Sequence, residues 1–377
     1  SEMSTAMAAA HRPVMVTSAG QLKQCIEGWM ACDVLGIDTE FVRERTWRAD
    51  LGLVQISDGE TVWLVDPLQC GSLEPLGALL EHPALVKILH APSEDLEVML
   101  FSTGSAPVPL FDTQTACAML GQPLQMAYHK TAEWLFGITV DKGETRSNWC
   151  KRPLRPAQLH YAALDVCLLP SMYRELHKRL QGLGREAWLE DECTRMVERA
   201  CEPTDLQHSW KRIRSIGKLD GVALAVLQAL ATWRDQQAER LNRARGFFIK
   251  DQALLAIARN QPDSLDALAA LAVVSPRTLA AHGGSIIELV VDTLDSGRRI
   301  QPPKTLKPAQ RRLLGAMKQL VKQRADELSV EPALLASRRD LEALVLTKPG
   351  EPLSERFTGW RQEVITDDLL ALKGGGA

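Results

Sequence analysis

Val34-Leu35-Gly36-Ile37-Asp38-Thr39-Glu40-Phe41 joins an apolar run to two carboxylates that are two positions apart. In a β-strand this spacing places Asp38 and Glu40 on one face, and Thr39 and Phe41 on the other. Neighbouring carboxylates repel each other, so a fold that keeps them together commonly supplies a cation to neutralise them. Taken alone, the pair is more typical of a strand with two solvated acids. A functional reading therefore requires further ligands elsewhere in the chain.

The composition describes a globular protein with more than one domain. The chain has 377 residues, of which 45% are hydrophobic and 24% are charged. At this length about two or three domains are expected. No apolar run is long enough to cross a bilayer, and the N-terminus has no signal-peptide pattern. The eight cysteines contain no C-x-x-C pair, which indicates the reduced thiols of a cytoplasmic protein and not a zinc site or a disulfide framework. We expect a monomer.

The net charge of −3 is unevenly distributed along the chain. Residues 205–346 contain 22 Lys and Arg against 15 Asp and Glu, a net charge of +7, which leaves −10 for the rest. A basic second half favours contacts with phosphates, and an acidic first half favours metal ions. Ordinary helix surfaces would also fit, since seven charges are few for that length.

Hydrophobic patterning predicts a mixed sheet covered by helices in the first half of the chain. Ser18 caps a predicted helix over 19–31, which precedes the acidic strand. Two β-rich runs around Asp58-Gly59 form a hairpin, so that three consecutive strands make an antiparallel meander. Strands then alternate with helices, which is typical of an α/β sheet. One long helix is predicted from Pro156 to about Gly182.

Three more side chains occur where they could join the acidic pair. Asp95 opens a helix after a short apolar strand, although the helix dipole alone also favours an acid there. Tyr161 and Asp165 are four residues apart and share one helix face. Singly, each fits an ordinary structural role. Four carboxylates brought together can hold two divalent cations, Mg²⁺ or Mn²⁺, about 4 Å apart around a phosphodiester.

A basic loop with one aromatic residue precedes the predicted long helix. Residues 142–155 read Lys-Gly-Glu-Thr-Arg-Ser-Asn-Trp-Cys-Lys-Arg-Pro-Leu-Arg. Its basic side chains, Arg146 and Arg152 among them, could contact phosphates, and Trp149 could stack on a base. A solvated surface loop fits the composition equally well.

Beyond Gly184 the chain is predicted to be almost entirely helical and to contain an internal repeat. The two copies are about 85 residues apart and are separated by a proline-rich linker at 302–308, which indicates two small helical domains in tandem. The paired segments are 237–241 with 324–328, 253–259 with 333–339, and 265–268 with 340–344.

Together the motifs resemble the DEDD exonuclease superfamily, and specifically the tyrosine subgroup of the ribonuclease D family. The matching segments are Gly36 to Phe41 with Leu51 to Ile56, then His90-Ala-Pro-Ser93-Glu-Asp95-Leu, and Trp149 to Pro153 leading into Tyr161-Ala-Ala-Leu-Asp165. The repeated C-terminal part resembles tandem HRDC domains. The resemblance covers nearly the whole chain. It implies an α/β ribonuclease-H-like exonuclease domain with a mixed sheet, followed by two small all-α HRDC-like domains.

The resemblance also implies a division of the chain. Residues 1–12 are expected to be a disordered tail, in which Ser1 and Glu2 precede an initiator Met3 as a cloning remnant. The remaining segments are an exonuclease domain over 13–200, a first HRDC domain over 205–298 and a second HRDC-like domain over 305–375.

The function implied is metal-dependent, stepwise 3′-to-5′ removal of nucleotides from RNA, with release of nucleoside 5′-monophosphates. Precursors of tRNA or other structured RNAs would be the substrates. Asp38, Glu40 and Asp165 would hold the metal beside the attacking water, Asp38 would bridge to a second metal, and Asp95 would anchor the site. Two alternatives stay open: a DNA 3′-to-5′ exonuclease, and a non-catalytic RNA-binding scaffold with a vestigial metal site.

Tyr161 is expected to orient the attacking water, because a phenol with a pKa near 10 is protonated at neutral pH. His160 is the competing residue, since the sister subgroup has a histidine five positions before its last aspartate. Four positions keep Tyr161 within about 40° of Asp165 on a helix, whereas five place His160 roughly 140° away. Further substrate contacts are expected from Thr39, Phe41, Gln55, His90, Ser93, Arg146, Trp149 and Arg152.

Overall fold

The computed structural model describes residues 1–141, 143 and 146–375. Lys142, Glu144 and Thr145 of the basic loop lie outside the described residues. The chain forms two compact units. The first consists of Ser1–Val42, Asp50–Glu202 and the described part of Leu306–Ala377, and the second consists of Arg43–Ala49 and Pro203–Thr305.

A six-stranded mixed sheet forms the centre of the first unit. Its strands are β1 (Val14–Val16), β2 (Val34–Val42), β3 (Asp50–Ser57), β4 (Val62–Val65), β5 (Val86–Leu89) and β6 (Leu110–Asp112). Their order is β1-β4-β3-β2-β5-β6. The predicted meander of β2, β3 and β4 is antiparallel, and the remaining pairs are parallel. The mixed sheet is thus confirmed, while the three-residue strand β1 was not predicted.

Helices cover both faces of this sheet. They are α1 (Glu2–His11), α2 (Ala19–Trp29), α3 (Pro67–Cys70), α4 (Leu76–Glu81), α5 (Ser93–Thr103), α6 (Thr113–Met119), α7 (Tyr128–Phe136), α8 (Pro156–Cys167), α9 (Leu169–Leu183) and α10 (Glu186–Cys201). Gly36 of β2 lies so close to α9 that a Cβ there would come within 2.8 Å of the Leu169 Cβ. Ile37, on the opposite face, shares an apolar pocket with Leu79 of α4 and Met99 of α5.

The prediction of a disordered tail over residues 1–12 is wrong, because these residues form α1. Its N-terminus is capped by the Ser1 side chain, and Ala6 and Ala10 are fully buried where α1 packs against α8. Alanine buries little apolar area, so this contact face gave only a weak hydrophobic pattern in the sequence.

The long helix predicted from Pro156 to Gly182 is also wrong in one respect, because it is divided into α8 and α9 at Leu168. Pro170 lies in the first turn of α9. It has no backbone N–H to donate and its ring clashes with the preceding turn, so it starts a new helix instead of continuing the old one.

The second unit is helical. It contains α11 (Gly221–Leu241), α12 (Arg245–Phe248), α13 (Asp251–Asn260), α14 (Leu265–Ala270) and α15 (Pro276–Ser296), preceded by 3₁₀ turns at Ser209–Arg212 and Ile216–Lys218. The segment Arg43–Ala49, which connects β2 to β3, belongs to this unit, and Trp47 packs against its core. No helix among the described residues is both long and apolar enough to span a membrane.

The C-terminal helices of the first unit support the predicted repeat. They are α16 (Pro308–Leu328), α17 (Pro332–Leu335), α18 (Arg338–Leu346) and α19 (Asp367–Gly375), with a 3₁₀ turn at Glu355–Phe357 and a π-helical turn at Gln362–Thr366. The starts of α16, α17 and α18 each lie 87 residues after those of α11, α12 and α13 (308 and 221, 332 and 245, 338 and 251). The residues after α11 and α16, Asn242 and Ser329, both have left-handed φ angles, of 51° and 54°.

The predicted register of the repeat is correct only in its first pair. Segments 237–241 and 324–328 are the equivalent ends of α11 and α16, but 253–259 lies inside α13, whereas 333–339 spans α17 and the start of α18. Runs of leucine and alanine match one another in several registers, so the sequence pattern alone did not identify the correct alignment of the two copies. The HRDC-like character of 305–375 stays a prediction.

A buried ion pair attaches the C-terminal helices to α10. Arg361 is 2% exposed, pairs with Glu192 and donates from Nε and Nη2 to the Leu334 carbonyl at 3.2 and 2.9 Å. Trp360 donates from Nε1 to the same Glu192 carboxylate at 2.7 Å, and its ring stacks on Trp188 at 4.8 Å. Burial lowers the pKa of Arg361 to about 10, so its guanidinium is charged at neutral pH.

We predict that Glu192→Ala lowers the free energy of unfolding by about 3 kcal/mol, because it leaves the Arg361 charge buried without a partner. Glu355→Ala is the matched control. This substitution breaks the ion pair between Glu355 and Arg199, whose side chains are 43% and 37% exposed, respectively. It should lower the free energy of unfolding by less than about 1 kcal/mol. Urea unfolding followed by tryptophan fluorescence measures both variants. Equal losses would contradict a stabilising role for the buried pair.

Candidate active site

Asp38 and Glu40 lie in the part of β2 that continues past the end of its pairing with the parallel strand β5. β2 pairs with β5 only over Val34 to Gly36, and beyond that it is held by β3 alone. Asp38 and Glu40 lie on the face that α8 covers, as the period of two predicts. Carboxylate oxygens of Asp38, Glu40 and Asp165 lie within 4.8 Å of one another. The strand end and α8 thereby bring three of the predicted acids together.

Tyr161 and Asp165 lie one helical turn apart on α8, and both line the same cleft as Asp38 and Glu40. His160 faces away from them. Its ring stacks on His11 with centroids 4.7 Å apart, and its Nδ1 lies 3.4 Å from the Ala10 carbonyl oxygen. The helical geometry that favours Tyr161 over His160 is confirmed.

Asp95 reaches the cluster from α5, on the opposite face of the sheet. Thr39 donates from its hydroxyl to Asp95 Oδ1, so Thr39 contacts the site although it alternates with the acids along β2. The turn before α5 is held in place by Asp112, whose Oδ1 accepts from the N–H of Ala91 at 2.9 Å and from that of Gln114 at 3.0 Å. Ala91 has a φ of 52°, an uncommon conformation for a residue with a side chain.

These groups border one open cleft of about 300 Å³. All five predicted catalytic residues line it, together with five other residues of β2 and of the start of α5 and the turn before it. The lining consists of Asp38, Thr39, Glu40, Phe41, Ala91, Ser93, Glu94, Asp95, Tyr161 and Asp165. No basic side chain is among the described residues that line the cleft.

Gln55 is buried behind the two acids of β2, where it positions their carboxylates, and it does not line the cleft. It is fully buried on β3, and its Nε2 lies 3.3 Å from Asp38 Oδ2, 3.1 Å from Glu40 Oε1 and 3.4 Å from the Ala162 carbonyl oxygen. The prediction of a direct substrate contact is therefore wrong for Gln55. An amide that donates to both carboxylates instead fixes their spacing and ties β2 to α8.

Trp149 and Arg152 hold the basic loop on the sheet instead of facing a substrate. Trp149 is 1% exposed, with its ring 6.1 Å from that of Tyr161, and a Cβ at Gly52 would come within 2.5 Å of its carbonyl oxygen. Arg152 binds both oxygens of Asp66, at 3.0 and 2.9 Å, and the carbonyl of Gly52 at 2.7 Å. The predictions of base stacking by Trp149 and phosphate contact by Arg152 are wrong.

Both ring nitrogens of His90 lie at hydrogen-bond distance from other atoms of the protein. Its Nδ1 and Nε2 lie 2.7 Å from Thr113 Oγ1 and 2.8 Å from the Met126 carbonyl oxygen, and burial lowers its pKa. Its contact with substrate stays a prediction. Ser93 is exposed at the cleft and Arg146 is exposed in the basic loop, and their contacts with substrate stay predictions.

Tyr128 is a positioning residue that the sequence did not reveal. Its buried hydroxyl donates to the Leu164 carbonyl at 2.7 Å and accepts from the Leu168 N–H at 3.2 Å. These bonds fix the end of α8 next to Asp165. Tyr128 lies on α7, 37 positions before Asp165. No local sequence pattern predicts that a side chain so far away along the chain contacts the end of α8.

Burial of the acids opposes their ionisation. It is the largest cause that raises the pKa of Glu40 to about 8, of Asp165 to about 7 and of Asp95 to about 6, and it holds that of Asp38 well above its ordinary value. Repulsion adds to burial, chiefly from Asp95 on Asp38 and from Asp165 on Glu40. A cation would let the carboxylates ionise together, and an all-oxygen donor set suits a hard divalent ion.

The fold and this acidic cleft define a 3′-5′ exonuclease. The 3′-5′ exonuclease family model matches residues 13–181, and the HRDC domain model matches residues 223–290. The chain is 38% identical to Ribonuclease D of Pseudomonas paraeruginosa over 93% of this chain and 95% of that one. It is 36% identical to Ribonuclease D of Escherichia coli K12 over 94% and 96%.

The crystal structure of Escherichia coli RNase D matches with a TM-score of 0.89 and 34% identity, over 97% of this chain and 99% of that one. The chain therefore belongs to the ribonuclease D family. It is a 3′-5′ exoribonuclease, and RNA is its substrate.

We predict that the affinity for Mn²⁺ rises steeply between about pH 6 and about pH 8.5, because binding must displace protons from carboxyls with raised pKa values. Each displaced proton should contribute about tenfold per pH unit below the pKa concerned. Without metal, these raised pKa values make folding less favourable as pH rises from about 4, where the acids of the unfolded chain ionise, to about 8, the highest of the raised values. Mn²⁺ should therefore also raise the melting temperature more at about pH 8 than at about pH 6. Calorimetry in two buffers with different ionisation enthalpies measures affinity and proton release. An affinity for Mn²⁺ that does not depend on pH would contradict binding of the ion by the carboxyl groups of the cleft.

Proposed function

We propose that the cleft holds two divalent cations, Mg²⁺ or Mn²⁺, and that the protein hydrolyses the terminal phosphodiester of RNA to release nucleoside 5′-monophosphates. The observation that carries this proposal is the approach of the Asp38, Glu40 and Asp165 oxygens to within 4.8 Å of one another, in a cleft that Asp95 also lines. Asp38, Glu40 and Asp165 would hold one ion. Asp38 and Asp95 would hold the other.

The bound cations would polarise the phosphodiester and lower the pKa of the attacking water. The protein's own side chains then have positioning tasks. Gln55 sets the spacing of Asp38 and Glu40, while Thr39 fixes Asp95. Burial, followed by the charges of Asp165 and Glu40, raises the pKa of Tyr161. Its phenol therefore stays protonated and orients the water by hydrogen bonding instead of acting as a base.

Structured RNA is the substrate class that we infer, with tRNA precursors among its members. The similar Escherichia coli protein is described as an exoribonuclease involved in structured RNA processing. In this chain the net charge of +7 over residues 205–346 supplies cations for a folded phosphate backbone. The eight cysteines are free thiols, which fits a reducing compartment such as the cytoplasm. We also propose that the protein is a monomer.

We predict that RNA labelled at its 5′ end shortens in single-nucleotide steps with Mg²⁺ or Mn²⁺, and that EDTA stops the reaction. A tRNA precursor with a 3′ extension, a linear RNA and a DNA of the same sequence should be compared in one time course. Accumulation of trimmed tRNA and mononucleotides, with slower loss of the DNA, is the expected result. Internal fragments, or cleavage that persists in EDTA, would refute two-metal 3′-to-5′ hydrolysis. Preference for DNA would favour the alternative substrate.

We predict that Asp38→Ala abolishes cleavage, because it removes the proposed bridging ligand. Tyr161→Phe should lower kcat by about 10²-fold without weakening Mn²⁺ binding, since it removes only the hydroxyl that orients water. His160→Gln is the matched control, because His160 contacts His11 and Ala10 away from the cleft. Single-turnover kinetics and calorimetry measure these variants. Activity of Asp38→Ala, or a larger loss in His160→Gln than in Tyr161→Phe, would contradict the assignments.

A further inference from the structure

We propose that an exposed surface of the second unit, formed by Arg45, Arg240, Arg243 and Phe247, binds a single-stranded stretch of the RNA substrate upstream of its 3′ end. We call these four residues the Arg–Phe surface. The inference deepens the proposed function, on which it rests: it names where this chain grips RNA that the cleft does not reach.

Phe247 is the centre of the surface. Its side chain is 53% exposed at the end of the short helix α12, whereas the next residue, Phe248, is 5% exposed and belongs to the core of the unit. The core therefore uses one of the two aromatic rings and leaves the other in solvent. The guanidinium carbon of Arg45 lies 5.7 Å from the centre of the Phe247 ring. An exposed ring beside an arginine is a stacking platform for an unpaired base.

Contacts of the 43–49 segment fix Arg45 in this place. The backbone N–H of Ala244 donates to the Arg45 carbonyl at 2.9 Å. Two residues further on, Trp47 lies against the guanidinium of Arg245 at 4.5 Å. The segment is thus attached by backbone and ring contacts that do not involve the Arg45 side chain, whose guanidinium lies at the Phe247 ring.

The arginines give the surface its charge. Arg240 and Arg243 are exposed near the end of α11, and Arg243 donates to the Phe247 carbonyl at 2.6 Å. Guanidinium groups bind phosphate oxygens through paired donors, which suits a nucleic acid backbone. Arg245 is not included, because it lies 3.0 Å from the fully buried Asp235 and is committed to the fold.

An RNA strand explains the combination better than an acidic protein does. Positive charge alone fits either partner, but a solvent-exposed ring beside the Arg45 guanidinium matches the alternation of base and phosphate along a single strand.

The test measures binding of a 20-nucleotide and a 4-nucleotide single-stranded RNA by fluorescence anisotropy in EDTA. Phe247→Ala and Arg45→Ala should each raise the Kd for the longer RNA about tenfold and leave that for the shorter RNA unchanged. Arg45→Ala should also reduce the salt slope by about 0.7. Phe247→Trp should restore the affinity, because a larger ring stacks at least as well. Arg277→Ala, which removes an exposed arginine of α15, is the matched control and should bind like the wild type.

Turnover of the 4-nucleotide RNA with Mg²⁺ separates this inference from the proposed function. Wild-type turnover in the surface variants, with weaker binding of the longer RNA, supports both. Unchanged affinity of Phe247→Ala and Arg45→Ala for the longer RNA overturns the Arg–Phe surface, including the case in which the surface holds an acidic protein. Failure of the wild type to cleave the short RNA overturns the proposed function and leaves the binding result standing.

Discussion

Burial of four carboxylates side by side in one cleft is the constraint on which the site depends. Burial raises the pKa values of Asp38, Glu40, Asp95 and Asp165. Repulsion from the neighbouring acids raises those of Asp38 and Glu40 further, so that Glu40, with a pKa of about 8, keeps its proton at neutral pH in the metal-free protein. The fold holds these groups together through the Gln55 amide, which donates to Asp38 and Glu40, and through the Thr39 hydroxyl, which donates to Asp95. A divalent cation would remove the penalty, which makes binding of metal and loss of protons one process.

The geometry of the site could be predicted wherever it follows from the period of a single element. The two-residue period of a strand placed Asp38 and Glu40 on one face, and the helical repeat selected Tyr161 over His160 as the partner of Asp165. The same periodicities predicted the antiparallel meander and most of the helices, and the family resemblance supplied the order in which the motifs combine. Local spacing survives folding when the element stays regular over the residues concerned, as α8 does.

What the sequence did not reveal depends on contacts between distant segments. Trp149 looked like an exposed aromatic in a basic loop, but the absence of a side chain at Gly52 gives it a place to pack. Gln55 looked like a substrate contact and lies instead beneath the acids, while Tyr128 and Asp112 support the site from elements that carry no motif. Burial of a polar side chain is decided by its tertiary partners, which single-sequence patterns do not contain.

The anomalous scattering of Mn²⁺ in a crystal of the protein at about pH 8, where the carboxyls release their protons readily, tests whether the cleft holds two metal ions. We expect two anomalous peaks about 4 Å apart, both in contact with Asp38, with Glu40 and Asp165 around one peak and Asp95 beside the other. Peaks that lie only elsewhere on the protein, or no peak at the cleft at saturating Mn²⁺, would contradict this expectation.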